Sequence, residues 1–354
     1  MAMTKYPVAL ILTFAFLRTF AQSGGDNTYD FLNLTNSARV ASLGGQQISL
    51  YGDDLNIVFH NPSLLNPEMS NHLVMNYINY ISDINFGYVS YARTIRNYGN
   101  FGAGIHYIDY GEFQYADVEG VRNGTFHAKD YSINLYYSHP VLDSLFMVGA
   151  TLKGINSEYE SLNSWGFAID AGITYNDPKN EFTAALVMKN LGMQLNTYYY
   201  NAPHEPLPFE IQLGITKKLL HAPFRFSILA QHLETPNLRY QTEVDNKNQV
   251  DLITGQTKKQ DKLANFGDNV MRHIVFGLEF VPAKSFNIDI GYNYKRRQEL
   301  KIDQNSGMTG FSWGFGFRIY KFHFSYGWMR YHVAAVANHF SMEVNLDEFS
   351  RKFQ

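Results

Sequence analysis

Cysteine is absent from all 354 residues. That excludes disulfides, zinc–cysteine centres, iron–sulfur clusters and thiol catalysis together. Charge is sparse, with Asp, Glu, Lys and Arg at 17% of the chain against about 25% in ordinary soluble proteins. Neither sign dominates: Lys+Arg 29 and Asp+Glu 32 leave a formal net charge of −3. There is no broad basic surface to neutralise phosphates, so nucleic acid is not an expected partner. Proline is also scarce, Pro 11 against Gly 27, which leaves extended segments largely uninterrupted. Beyond the N-terminus, no apolar run approaches the ~20 residues of a membrane-spanning helix.

Aromatics, in contrast, are abundant: Phe 27, Tyr 25 and Trp 3 make up 16% of the chain. The N-terminus has the layout of an export signal, residues 1–21. Lys5 gives a positive start, Val8 to Leu17 an apolar run, and Thr19-Phe20-Ala21 a cleavage site before Gln22 or Ser23.

From residue 71 onward the hydrophobic period is 2, not 3.6. Phe311, Trp313, Phe315, Phe317 and Ile319 alternate with Gly310, Ser312, Gly314, Gly316 and Arg318. The same pattern places Phe209, Ile211, Leu213 and Ile215 opposite Glu210, Gln212, Gly214 and Thr216. Fourteen such segments can be marked: 72–80, 84–93, 99–109, 130–139, 145–157, 163–175, 181–190, 207–217, 223–234, 272–281, 285–296, 310–319, 321–332 and 338–346. Soluble strands average about five to six residues, whereas a tilted membrane-spanning strand needs about nine to eleven. An even number of long alternating strands predicts an all-β chain, a fourteen-stranded antiparallel transmembrane β-barrel of the outer membrane over 71–346. Lipid offers no hydrogen-bond partners, so such a sheet has to close.

Connection lengths test the count. With both termini periplasmic, the turns after strands 2, 4, 6, 8, 10 and 12 (94–98, 140–144, 176–180, 218–222, 282–284 and Tyr320) are all short. The connections 110–129, 191–206, 235–271 and 297–309 are long and fall on the other, extracellular side, the asymmetry of these barrels. Aromatic pairs such as Tyr77/Tyr80 and Trp328/Tyr331 lie near strand ends, where membrane girdles place them.

Residues 22–70 read differently, as an N-terminal plug or periplasmic cap. Ser37 is placed to cap a short helical turn that includes Arg39 and Leu43 and that Gly44 and Gly45 terminate. Asn61-Pro62 and Asn66-Pro67 are turn chemistry. Inner-face glycines (Gly102, Gly104, Gly166, Gly172, Gly314, Gly316) fit either close approach of a plug or relief of crowding in a curved sheet. Residues 347–354 form a C-terminal tail.

Three stretches, Phe31 to Gly45 (FLNLTNSARVASLGG), Asn61 to Asn66 (NPSLLN) and Ala337 to Leu346 (ANHFSMEVNL), resemble the PorQ family of the type IX secretion system of Bacteroidota. That family belongs to the wider group of FadL-like barrels, which includes the PorV proteins. The resemblance implies a non-enzymatic anchor that holds a PorZ-like surface protein, with PorU and PorV, in a complex attaching cargo to anionic lipopolysaccharide. A FadL-like transporter or channel for hydrophobic or small molecules is the alternative.

No serine has a lysine three residues on, and no His-Glu-x-x-His pair occurs. No catalysis and no cofactor or metal are expected. The segment 235–271 balances Arg239, Lys247, Lys258, Lys259 and Lys262 against Glu243, Asp245, Asp251, Asp261 and Asp268. Composition alone reads it as a solvated loop. The resemblance makes it the candidate partner-binding loop, together with 110–129 and 191–206. Outer-membrane lipid or lipopolysaccharide is the other expected contact.

Overall fold

A computed structural model describes residues 27–142, 145–239, 262–300, 307–332 and 335–350. The export signal and most of 235–271, with Glu243, Asp245, Lys247, Asp251, Lys258, Lys259 and Asp261, lie outside the described residues.

Fourteen strands close into one antiparallel barrel. They are β1 (His72–Asn79), β2 (Asn85–Ile95), β3 (Gly99–Ala116), β4 (Arg122–Val141), β5 (Phe146–Tyr159), β6 (Leu162–Asp177), β7 (Phe182–Asn196), β8 (Glu210–Lys218), β9 (Phe224–Ala230), β10 (Ile274–Ala283), β11 (Phe286–Asn293), β12 (Phe311–Ile319), β13 (Phe322–His332) and β14 (Ala335–Asn345). Closure runs through β1 and β14, from His72↔Asn345 to Asn79↔Asn338. It leaves no open edge along the wall, as a hydrocarbon surround demands.

The period-2 pattern becomes an inside and an outside. On β12, Phe311 and Trp313 are exposed on the outer face, whereas Ser312 is buried on the inner one. Elsewhere Ile105, Leu135, Leu152, Ile215 and Ile290 form part of the exposed apolar band, while Asp170, Glu210, Gln212, Glu279 and Asp289 are buried inside. A band of that kind would be a liability in water and is satisfied by lipid. Among the described residues, no helix is long and apolar enough to cross a membrane.

The two rims differ. The turns after β2, β4, β6, β8, β10 and β12 are short, and β1 begins and β14 ends at that rim, where Leu346 N donates to Asn71 O at 2.9 Å. A helical turn, Asp347–Ser350, folds back there; the Asn71 amide binds Asp347 at 2.9 Å and Lys321 Nζ sits 4.1 Å from the Phe349 ring.

The long-loop rim departs from the sequence expectation in three places. Segment 110–129 is not a loop: β3 and β4 run on as a hairpin, with Glu112↔His127 and Phe113↔Phe126 still in register. The Phe113 and Phe126 rings stack at 5.2 Å, an aromatic cross-strand pair of the kind that extends a ribbon. The first part of 191–206 likewise belongs to β7, which continues to Asn196 against β6 after its pairing with β8 has ended at Lys189↔Glu210. Finally, α1 (Ala38–Ser42, in the plug) is joined by two rim helices, α2 (Lys262–His273) and α3 (Tyr294–Leu300). The last residues of the marked strand segment 285–296, from Tyr294 on, are therefore helical. The run Lys295 to Leu300 is made of good helix formers, which takes over where the Tyr292/Tyr294 alternation stops.

Candidate functional site: a plugged lumen and its long-loop rim

Residues 27–70 pack inside the barrel as a series of short capped turns. The Ser37 hydroxyl accepts from Val40 N at 3.3 Å and caps α1. Gly44 and Gly45 then take φ +97° and +85°, the left-handed conformation that ends a helix at little steric cost. Leu43, just before them, is fully buried. Asp54, Asn61 and Asn66 each cap a 3₁₀ turn, over Leu55–Phe59, Pro62–Leu64 and Pro67–Met69, by accepting from the amide two residues on. The Asn-Pro pairs thus have a defined role. Proline opens the turn without an amide to satisfy, and asparagine closes it.

Each turn is clasped to the wall. The Asn61 amide donates to Ile48 O at 2.7 Å and to Thr174 on β6 at 3.0 Å. Leu55 N donates to Glu343 on β14 at 3.0 Å, and Ala38 N to Ser341 at 2.9 Å. Asn56 accepts from Asn76 at 2.7 Å, and Leu65 O accepts from Ser138 and Asn100. Glycines let the plug lie directly on the wall. A Cβ on Gly149 would sit 2.4 Å from Pro62 C, one on Gly172 2.4 Å from Asn61 Oδ1, and one on Gly314 2.6 Å from Ser42 Cβ. Gly102 and Gly104 instead relieve crowding by Tyr136, Tyr88 and Ser90 of neighbouring strands, and Gly316 meets Asn287. Both expected uses of glycine are present, at different positions.

Between the clasps lies a true hydrophobic core. Val40, Leu43, Leu50, Leu55, Ile57, Val58, Phe59, Leu64 and Leu65 pack against Val74, Tyr88 and Tyr136 of the wall. At the long-loop end, Tyr29, Phe31 and Leu32 pack with Ile78, Phe86, Ile108 and Leu207. Several buried charges are paired. Arg39 bridges Glu279 of β10 at 2.7 Å and Asp54 at 3.3 Å, and Arg225 joins Glu279 at 3.1 Å. Lys153 pairs with Asp170 at 2.7 Å and donates to Asn190 at 2.7 Å. Asp170 shares the inward face of β6 with Gly166 and Gly172, but its partner depends on strand register and is not legible in the sequence. Burial, with the Lys189, Lys153 and His106 side chains nearby, holds the plug residue His60 well below the ordinary imidazole value.

Gly310-Phe311-Ser312-Trp313-Gly314 has the letters of a nucleophile elbow. The elbow requires a strand-to-helix turn, whereas residues 311–314 lie within β12. Ser312 Oγ accepts from Gly44 N at 2.9 Å and donates to Ser42 O at 2.8 Å. It is a plug clasp with no base beside it in these contacts.

Of the candidate partner loop, the described members converge on α2. Arg239 pairs with Asp268 at 3.2 Å, Asp268 also accepts from Arg272 and Tyr294, and Lys262 is the exposed first residue of α2. Among the described residues no cluster of three or more His, Asp or Glu side chains is placed to hold a metal.

Neither a protein-family model nor a curated protein matches the chain. Solved structures do. The Ralstonia pickettii toluene transporter TbuX superposes with a TM-score of 0.50 at 11% identity, over 88% of this chain and 98% of that one. The fold is that of a FadL-like outer-membrane barrel. The Pseudomonas putida toluene transporter TodX gives 0.49 at 10% identity, over 88% and 96%. A Pseudomonas aeruginosa FadL homologue gives 0.46 at 9%, over 88% and 98%. At such identities TbuX establishes the shared fold of a FadL-like barrel and no more.

Proposed function

We propose that this FadL-like barrel is a non-enzymatic outer-membrane anchor of the type IX secretion system. It holds a PorZ-like surface protein, with PorU and PorV, through its long-loop rim. Two observations support the reading. Two of the three stretches that resemble the PorQ family are plug clasps: Phe31 to Gly45 carries α1 and its caps, and Asn61 to Asn66 carries the capped 3₁₀ turn held by Thr174. The observation that carries most weight is the lumen. The plug's apolar side chains are spent on core contacts with the wall, and its polar groups on clasps. On this reading the termini face the periplasm, and the rim bearing the β3–β4 hairpin, α2 and α3 faces outward.

The second reading, transport of hydrophobic small molecules, is favoured by the likeness to TbuX, which is a toluene transporter. The two readings separate in one experiment: mild-detergent purification of a tagged full chain from its native outer membrane. A large surface protein recovered in stoichiometric amount supports the anchor. A lone barrel carrying bound lipid or hydrocarbon overturns it in favour of transport.

A further inference from the structure

The β3–β4 hairpin projects past the rest of the wall. β2 follows β3 only to Asn85↔Asp109, and β5 follows β4 only to Ala128↔Tyr159. At about 3.4 Å per residue, the part beyond these points reaches roughly 20 Å from the wall. Its tip exposes two apolar side chains among charged ones, although it stands clear of the lipid-facing band. Val118 is fully exposed and Val121 60% exposed, with Phe113 and Tyr115 exposed below them.

On the β5 side the hairpin leaves a notch of about 510 Å³, bounded by Tyr115, Phe126, Lys129, Glu158, Glu160 and Ser161. Thr125, Phe126 and His127, three consecutive residues, also line it. Successive strand residues point to opposite faces, so a cavity touched by all three opens along the edge of β4. Glu160 N closes the lower end by donating to His127 O at 3.1 Å. A register shift after Gln114↔Thr125, with Gly124 at φ +89°, closes the upper end. Between these limits Thr125 and Phe126 pair with β3 alone; since His127 O faces β5, the alternation of an antiparallel backbone turns Phe126 towards β3 and leaves the Thr125 N–H and C=O at the open edge. Edge groups of this kind are a template for an added strand. The charge is acidic: Glu158 and Glu160 line the notch with Lys129, and the hairpin adds Glu112, Asp117 and Glu119 against Arg122. Tyr115, whose hydroxyl donates to Glu160, and Phe126, its ring 5.0 Å away, supply an aromatic wall beside those carboxylates.

We infer that this notch receives a short extended segment of an extracellular partner protein, carrying Lys or Arg, which adds to the β4 edge at Thr125. Its cationic side chain lies between the Phe126 and Tyr115 rings and the Glu158 and Glu160 carboxylates. The inference rests on the anchor reading and names the place and chemistry of that contact.

The test uses the full chain in its native outer membrane, with the co-purifying surface protein as the probe. The variant E158K/E160K reverses the notch charge, and T125P removes the outward-facing edge amide. The expected result is at least a tenfold fall in retained surface protein for the charge reversal and for T125P, with heat-modifiable barrel migration unchanged. A photo-crosslinker at Thr125 is expected to map to one extended, Lys- or Arg-bearing segment of the partner. Full retention by E158K/E160K, or crosslinks only to a second copy of this chain, would overturn the notch assignment while leaving the anchor intact. If the wild-type chain retains no surface protein, the anchor reading fails and the notch assignment with it.

Discussion

Arg39 is the side chain on which plug docking leans most. It is 11% exposed, it lies 2.7 Å from a Glu279 oxygen and 3.3 Å from Asp54, and Glu279 is 2% exposed. At an effective dielectric of about 20 the two contacts correspond to roughly 6 and 5 kcal/mol of gross attraction. Most of that is offset by the desolvation of three charges. The measurable cost comes from removing one partner, because the others stay buried; about 3–5 kcal/mol is usual. Arg225 still faces Glu279 at 3.1 Å after the change, so the low end applies, about 3 kcal/mol for Arg39→Met. That corresponds to a rise on the order of 10²-fold in the undocked plug population. The absence of cysteine makes the assay clean. Ala41→Cys places a single thiol at a fully buried plug position, and its maleimide labelling rate in membranes reports undocking. Arg39→Met in that background should speed labelling by about two orders of magnitude while the barrel remains heat-modifiable. A change under threefold would refute the view that the Arg39 pairs hold the plug.

Three further outcomes follow from the same geometry. Gly149→Ala would drive a methyl into the Pro62 backbone and should loosen the plug, whereas Gly154→Ala on the same strand, where nothing lies within 4 Å, should be silent in the labelling assay. Phe59→Ala removes a core ring that is 1% exposed and should cost about 3–5 kcal/mol of plug docking, read as a drop in the midpoint of denaturant-induced thiol exposure. Because His60 is held well below 6.5 when docked, the undocked state binds the extra proton. Docking should therefore be strongest above pH 6.5 and weaken below it, by up to about 1.4 kcal/mol per pH unit. His60→Leu should make that slope shallower by one proton in labelling rates measured from pH 7.5 to 5.

The strands were legible because lipid enforces period-2 alternation on every one of them, and strand ends agree to within a few residues where a turn residue marks them. Tyr320, at φ +57°, is such a mark. What failed lay above the band. Once a strand leaves lipid, nothing in its pattern says whether it stops, so the continuation of β3 and β4 past Asp109 and Lys129 was hidden, although Phe113 and Phe126 carried the aromatic pair that sustains it. Helix α2 did carry its own signal, Leu263, Phe266 and Val270 at helical spacing, obscured by the polar residues around it. In the plug, Ser37, Gly44 and Gly45 could be read as cap and stop because those roles are local. The partners Arg39–Glu279 and Lys153–Asp170 could not, since they join residues whose meeting depends on barrel register and plug path.

The central claim is that this barrel secures surface proteins. Its most direct test is deletion of the chain in its native bacterium, followed by fractionation of exported cargo between cell surface and medium. The anchor predicts that lipopolysaccharide-attached cargo shifts from the surface to the medium and returns when the chain is restored. Cargo that stays on the surface, together with slower uptake of monoaromatic hydrocarbons or fatty acids, would contradict it.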